Sequence, residues 1–141
     1  MNAEFLKSLF DKAVEASDPA CVMPPFLPSP PRGRLVVVGA GKAAALMART
    51  VEKNYPGPVS GLVVTRYGHN VPCEYIEVIE ASHPVPDAAG EAAARRILDT
   101  VRGLGENDLV LCLISGGGSA LLSLPAEGLS ISDKRAVNEA L

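Results

Sequence analysis

An apolar run without polar alternation, LVLCLI at residues 109–114, constrains the fold more than any other stretch of this chain. The run has the length of a strand, and strands of this composition are typically covered on both faces. It therefore predicts a buried strand with a layer of structure on each side. Cys112, within the run, is expected to be a small buried hydrophobe.

A glycine-rich loop follows this strand directly. Its residues are Ser115, Gly116, Gly117, Gly118 and Ser119, and the Ala-Leu-Leu segment after them favours a helix. Three glycines free the backbone for conformations closed to other residues, so that successive N–H groups can converge on one point. The helix would add unpaired N–H groups and the positive end of its dipole. We predict a cradle for phosphate or carboxylate, with a ligand-free turn as the alternative.

Strand-like and helix-like segments alternate through the rest of the chain. The patterns predict helices at 2–16, 43–54 and 88–104, strands at 34–38, 62–65, 75–80 and 109–114, and an extended proline-rich connector at 19–31. Such alternation implies a parallel sheet reached by right-handed crossovers. The predicted fold class is α/β, Rossmann-like and doubly wound, with a mostly parallel sheet and helices on both faces. An apolar helical stripe begins at Ala136 and is not followed by the Gly, Pro or basic residues that usually end a helix. We therefore expect that domain 1–141 is the truncated front part of a longer protein.

Composition narrows the functional class. A net charge of −3, a pI near 5.4 and the absence of Trp argue against a nucleic-acid-binding surface. Cys21, Cys73 and Cys112 form no CxxC pair and suit a reducing compartment. No apolar run approaches membrane-spanning length, and no signal-peptide pattern is present. We expect a cytoplasmic protein that binds a small molecule rather than nucleic acid or membrane, and a homodimer stays open.

Reactive residue types gather at one predicted edge of the sheet. Lys42 follows the first strand, His69 the second, His83 the third and the glycine-rich loop the fourth. In open α/β sheets, ligands bind outside the carboxyl ends of the strands. The sequence therefore predicts the ligand site at this edge.

The segment GAGK at residues 39–42 matches two nucleotide-binding patterns incompletely. It lacks the four-residue spacer of a Walker loop. Gly39 and Gly41 satisfy the dinucleotide pattern G-x-G-x-x-A, but the second strand ends in Thr65-Arg66 instead of an acid for the ribose. Lys42 stands at a helix start, where the dipole disfavours a cation. Its position indicates contact with an anion, with a solvated surface lysine as the alternative.

His83 lies in a loop stiffened by prolines, SHPVPD. It either orients a substrate hydroxyl or only bonds the backbone, and both interpretations stay open. Asp87 is expected to cap the next helix. Ser115 and Ser119 have no identifiable base partner, so no Ser-His-Asp set is assigned. No residue group has metal-ligand spacing.

Four stretches together resemble the type 2 glycerate kinases, the MOFRL-containing family whose members are often named hydroxypyruvate reductase. They are RGRLVVVGAGKAA at 32–44, GLVVTRYGH at 61–69, ASHPVPDAAG at 81–90 and LISGGGSALLSLP at 113–125, in the family's order. Each is weak alone, but four in sequence are specific. The resemblance implies that this chain is the Rossmann-like N-terminal domain of a kinase whose cleft also needs a C-terminal domain.

The resemblance further implies ATP-dependent phosphorylation of D-glycerate to 2-phosphoglycerate, with Lys42 as the catalytic candidate. The expected substrate- or phosphate-binding residues are Gly39, Gly41, His83, Ser115, Gly116, Gly117, Gly118 and Ser119. A catalytic arginine and most ligands of the Mg²⁺ that accompanies ATP are expected outside this chain. The alternatives are an NAD(P)H-dependent hydroxypyruvate reductase and a non-catalytic anion-binding or oligomerisation domain.

Overall fold

A computed structural model describes residues 2–140 of the chain. Their elements are α1 Ala3–Ala16, α2 Pro19–Val22, a 3-10 turn Pro24–Phe26, β1 Leu35–Gly41, α3 Ala44–Asn54, β2 Val59–Arg66, β3 Ile76–Ala81, α4 Ala88–Val101, β4 Leu109–Ser115 and α5 Ile131–Ala140. None of these helices is both long and apolar enough to cross a bilayer.

The four strands form one parallel sheet in the order β3-β2-β1-β4. β1 pairs on both sides, so Val38 lies opposite Leu62 of β2 and Cys112 of β4. Because all the strands run in the same direction, their carboxyl ends meet at one edge. The predicted α/β fold with a parallel sheet is confirmed.

Helices cover both faces of the sheet, as predicted. Successive residues of β1 point to opposite faces, so this buried strand contributes to two cores. On one face, Val37 packs in a buried cluster with Ala48 of α3. On the other face, Val38 packs in a cluster with Ala93 and Ile97 of α4.

Gly39 and Gly41 lie inside β1, which corrects the predicted end of the strand at Val38. A Cβ atom on Gly39 would collide with the backbone carbonyl of Leu113 in β4, and one on Gly41 with the Ser115 hydroxyl. β1 and β4 approach so closely that only glycine fits at these positions. Strand packing therefore explains both glycines. The dinucleotide pattern requires these glycines in the loop after the strand, and here they lie within the strand.

No helix begins directly after Ser119, contrary to the prediction, because residues 119–122 form only a turn. The N–H groups of Leu121 and Leu122 both donate to the Gly118 carbonyl and close a single turn. Pro125 then disfavours helical backbone in the residue before it. The glycine-rich loop consequently lacks the helix dipole that was expected to help it bind an anion.

The first thirty residues also differ from expectation. The proline-rich connector is not fully extended, because Pro19 occupies the first position of α2 and the Asp18 side chain accepts a hydrogen bond from Ala20 there. α1 is a helix as predicted, but none of its residues is buried. Its apolar stripe stays exposed, with Phe10 67% accessible.

Candidate functional site

Lys42 lies between β1 and α3, where two neighbouring strands hold its backbone. The hydroxyl of Thr65, in β2, donates to the Lys42 carbonyl at 3.3 Å. The hydroxyl oxygen of Ser115, at the end of β4, accepts from the N–H of Ala43 at 2.9 Å. Thr65 is fully buried. The point from which the Lys42 side chain extends is thus fixed from both sides.

The glycine-rich loop begins beside this lysine because Ser115 pairs with Gly41 in the β1–β4 register. Gly116 has a φ of 69°, a left-handed conformation that turns the chain at the edge of the sheet. Gly118 then lies against β1, since a Cβ atom there would be 3.3 Å from the Cβ of Ala40. The structure therefore brings the loop and the lysine to the same part of the edge.

The fold gives no packing reason for glycine at position 117. The φ of Gly117 lies outside the left-handed region, and an added Cβ atom would meet no described atom within 4 Å. The residue is exposed. A bare backbone at such a position lets a ligand approach the peptide N–H groups, as glycine loops do for phosphates.

Lys42, whose backbone lies beside the start of this loop, is a cation without an ion-pair partner among the described residues. Lys42 is exposed and joins none of the ion pairs found among residues 2–140. α3 starts at Ala44 with neither a side-chain cap nor an acidic residue in its first turn, so the positive end of its dipole is not neutralised. The start of α3 is therefore a second source of positive potential at the carboxyl end of β1.

His83 lies farther along the same edge. It follows β3, which is two strands away from β1 in the sheet. Adjacent strands lie about 4.8 Å apart, so the ends of β3 and β1 are separated by about 10 Å. His83 is half-buried, and the carbonyl of Pro84 accepts a hydrogen bond from Asn138 of α5 at 3.5 Å. The backbones at Lys42 and His83 are thus two strand spacings apart, and their side chains must span that separation to contact one ligand.

Asp87 is the N-cap of α4, as predicted. Its carboxylate accepts from the Gly90 N–H at 2.9 Å and from the Tyr67 hydroxyl at 2.9 Å. Burial alone would raise the pKa of Asp87, but these donors lower it below its ordinary value. The same bond to Asp87 raises the pKa of Tyr67. This hydrogen bond connects the loop after β2 to the start of α4. The His83 loop joins β3 to the same end of α4.

Sequence reasoning missed Thr65, Tyr67 and Ser123. Ser123 is fully buried. Its hydroxyl donates a hydrogen bond to the Ser119 carbonyl at 2.8 Å, across the turn that follows the glycine-rich loop. The sequence contained a signal for the role of Thr65, because a hydroxyl at the end of an apolar strand needs a hydrogen-bond partner once it is buried. It contained no such signal for Tyr67, whose partner is 20 positions away.

The described part of the chain contains no preformed cluster of metal-binding side chains. Residues 2–140 hold no group of three or more His, Cys, Asp or Glu side chains placed to bind one. The residues at the Lys42 edge are instead suited to an anion, since they offer peptide N–H groups and an ammonium.

Comparison with known proteins places the chain in a family. Residues 5–141 match the family model described as Domain of unknown function (DUF4147). The chain is 54% identical over 139 residues to an Agrobacterium vitis protein named "Putative hydroxypyruvate reductase", covering 98% of this chain and 32% of that protein. It is 41% identical over 132 residues to the D-glycerate 2-kinase of Thermotoga maritima, covering 92% of this chain and 32% of the relative.

A solved structure shares the fold. The crystal structure of glycerate kinase from Thermotoga maritima superposes with a TM-score of 0.81 at 38% identity, covering 98% of this chain and 35% of that one. This chain therefore spans about a third of the length of the relatives it matches. Since the family model extends over nearly every residue and the α/β fold is shared with a glycerate kinase, the chain belongs to the DUF4147 family.

Proposed function

We propose that this chain is the N-terminal part of a glycerate 2-kinase, which transfers a phosphoryl group from ATP to the 2-hydroxyl of D-glycerate. The observation that carries the proposal is the placement of Lys42, whose backbone is held by Thr65 and Ser115 beside the glycine-rich loop. The names of the Thermotoga maritima relative and of the solved neighbour support it.

The proposed mechanism depends on position and charge. Phosphoryl transfer needs positioning and charge neutralisation more than a protein nucleophile. The Lys42 ammonium neutralises charge on the transferring phosphoryl group or holds the glycerate carboxylate. The N–H groups of Gly116, Gly117 and Gly118, with the Ser119 hydroxyl, wrap the other anion. Ser115 is a positioning residue, because its oxygen already accepts a bond from the backbone.

The remaining predicted binding residues have smaller parts in this mechanism. Gly39 is buried between two strands and is left out of the site. Gly41 acts through its close approach to Ser115. In this mechanism, His83 orients a substrate hydroxyl. The ligands of the Mg²⁺ that accompanies ATP would come from the further chain that the longer relatives have, since residues 2–140 hold no group of three or more His, Cys, Asp or Glu side chains placed to bind a metal ion.

The test is an assay of ADP release with D-glycerate and ATP. It uses the protein at the full length of its relatives, because this chain spans about a third of them. We expect Lys42→Ala to lower turnover on the order of a hundredfold or more. The matched control is Lys53→Ala, which removes an exposed lysine near the other end of α3. Near-normal turnover in Lys42→Ala would remove Lys42 from the mechanism.

A reductase is the second candidate because the Agrobacterium vitis relative carries that name. The fold counts against it, since Gly39 and Gly41 are strand residues packed on β4 and β2 ends at Arg66 without an acid. Oxidation of NADPH by hydroxypyruvate, measured in the same preparation, separates the two activities. Oxidation without ADP release would replace the kinase proposal. Phosphate binding with neither activity would support the non-catalytic domain.

A further inference from the structure

Arg66 is a half-buried cation without an ion-pair partner in the described part of the chain. It is the last residue of β2, and it joins none of the ion pairs found among residues 2–140. The other half-buried arginine in these residues, Arg49, binds the buried carboxylate of Glu52. Partial burial of a charge is unfavourable unless an opposite charge compensates it. Arg66 therefore needs an anion that residues 2–140 do not supply.

The acidic side chains around the end of β2 bind other donors. Glu80 lies on the neighbouring strand β3, and its carboxylate accepts from the Gly68 N–H at 2.6 Å. The Asp87 carboxylate accepts from the hydroxyl of Tyr67, the residue after Arg66, at 2.9 Å. Neither carboxylate forms an ion pair with Arg66. The fold thus leaves the guanidinium available to a ligand.

Arg66 and the glycine-rich loop lie on the same face of the sheet. Leu62 and Val64 of β2 belong to the core cluster under α4, and alternate residues of a strand share a face, so Arg66 points to this side. The loop reaches the same side, because Gly118 lies against Ala40, another member of the cluster. The arginine and the peptide donors of the loop therefore border one side of the carboxyl-terminal edge.

The strand order places Arg66 between Lys42 and His83. Lys42 follows β1, Arg66 ends β2 and His83 follows β3, and these strands are consecutive neighbours in the sheet. The ends of β1 and β2 are separated by one strand spacing, about 4.8 Å. A ligand that extends from Lys42 toward His83 must therefore pass Arg66.

We propose that Arg66 binds the carboxylate of D-glycerate, while Lys42 acts on the transferring phosphoryl group. This inference rests on the proposed kinase function and assigns an anion to each cation. The planar guanidinium can form two parallel hydrogen bonds to a carboxylate, whereas an ammonium is a point charge suited to phosphate. The glycerate carboxylate is attached to the carbon that carries the reacting 2-hydroxyl. The carboxylate and the phosphoryl group must therefore be held side by side, as the neighbouring ends of β2 and β1 would hold them.

Steady-state kinetics of the protein at the full length of its relatives test this assignment. Arg66→Ala should raise the KM for D-glycerate about tenfold to a hundredfold and change the KM for ATP less than about threefold, because only the carboxylate loses a charge-assisted bond. Lys42→Ala should act mainly on kcat. Arg32→Ala, which removes an exposed arginine before β1, is the matched control. An unchanged KM for D-glycerate, or a rise confined to the KM for ATP, would overturn the proposal.

Two further measurements separate ligand binding from a structural role of Arg66. Arg66→Lys keeps the charge without the planar fork, so its KM for D-glycerate should lie between those of the parent and Arg66→Ala. Guanidinium ion added at millimolar concentration should lower the KM for D-glycerate of Arg66→Ala and leave that of Arg32→Ala unchanged. Absence of recovery in both measurements would overturn the proposal.

Binding of D-glycerate without ATP, followed by calorimetry, distinguishes this inference from the kinase proposal. If the parent binds D-glycerate but releases no ADP, the kinase proposal fails, and weaker binding by Arg66→Ala still supports the carboxylate site. Equal binding by the parent and Arg66→Ala would overturn the role of Arg66 even where ADP is released. Absence of binding by the parent would overturn both proposals.

Discussion

The hydroxyl oxygen of Ser115 accepts a hydrogen bond from the backbone N–H of Ala43 at 2.9 Å, joining residues 72 positions apart. The bond continues the β1–β4 pairing one step beyond Gly41. It therefore sets the distance between the start of α3 and the start of the glycine-rich loop. The proposed anion site depends on this distance, because Lys42 belongs to one segment and the peptide donors to the other.

Replacement of Ser115 by Ala should weaken this connection. The partly buried Ala43 N–H would lose its acceptor, which costs about 1 kcal/mol in the free energy of unfolding. Urea denaturation of the 141-residue chain measures the change. Ser119→Ala is the control, because its exposed side chain should contribute no more than about 0.5 kcal/mol. Equal losses for the two variants would show that the Ser115 bond contributes little to stability.

Replacement by Ala should destabilise the chain at one glycine and leave its stability nearly unchanged at another. At Gly39 the added methyl collides with the Leu113 carbonyl, so the chain should lose about 1–3 kcal/mol of stability or fail to fold. At Gly117 the methyl meets no neighbour within 4 Å, so stability should stay within about 0.5 kcal/mol. Gly105→Ala, at another open position, is the control for the denaturation measurement.

Gly117→Ala should nevertheless impair phosphate binding. Its methyl would stand where an anion approaches the loop N–H groups, so binding of inorganic phosphate, followed by calorimetry, should weaken about tenfold. Gly105→Ala should bind as the parent does. An unchanged affinity in Gly117→Ala would mean that the loop does not hold the anion.

Glu52 of α3 binds the start of β3 and should make stability sensitive to acid. Its carboxylate accepts from the N–H groups of Glu74, Tyr75 and Ile76 at distances between 2.7 and 3.1 Å, and its side chain is 3% exposed. Burial alone would raise the pKa of Glu52, but these bonds lower it below 4.5. The stabilisation is therefore present above the unfolded pKa and lost as the pH falls through the lower folded pKa.

Glu52→Gln should cost about 1.5–3 kcal/mol at neutral pH, because a charged acceptor of three N–H groups is lost. The variant should also lose less stability on acidification than the parent does. Thermal unfolding from neutral to acid pH measures both effects, with the exposed Glu106→Gln as the control. An acid dependence identical to that of the parent would assign the effect to other carboxylates.

Asp87→Asn should shift the titration of Tyr67. The bond to the Asp87 carboxylate raises the pKa of Tyr67 above 10.0, so its removal should bring the tyrosinate transition back toward that value. Asn also caps helices, which preserves the start of α4. Difference absorbance follows the change in a background with both Tyr55→Phe and Tyr75→Phe, which leaves Tyr67 as the single tyrosine. A transition at the same pH in both proteins would show that the pair does not form in solution.

Local patterns were sufficient to predict most of the elements. The sequence predicted α1, α3, α4 and all four strands because hydrophobic periodicity and helix-ending residues act over short distances. It failed after Ser119, where Gly118 accepts two N–H groups and Pro125 follows too soon for a helix. It also placed Gly39 and Gly41 in a loop, because the glycine pattern does not distinguish a ligand contact from close strand packing.

The sequence by itself determined the parallel α/β fold and the edge where its reactive residues gather, since both follow from strand and helix periodicity. The tertiary structure alone decided which of those residues meet. Strand order puts β4 beside β1, so that Lys42 lies near the glycine-rich loop while His83 is two strands away. The same order leaves Cys112 exposed, although its sequence context predicts burial. These contacts join residues far apart in the chain, and local patterns carry no information about such pairs.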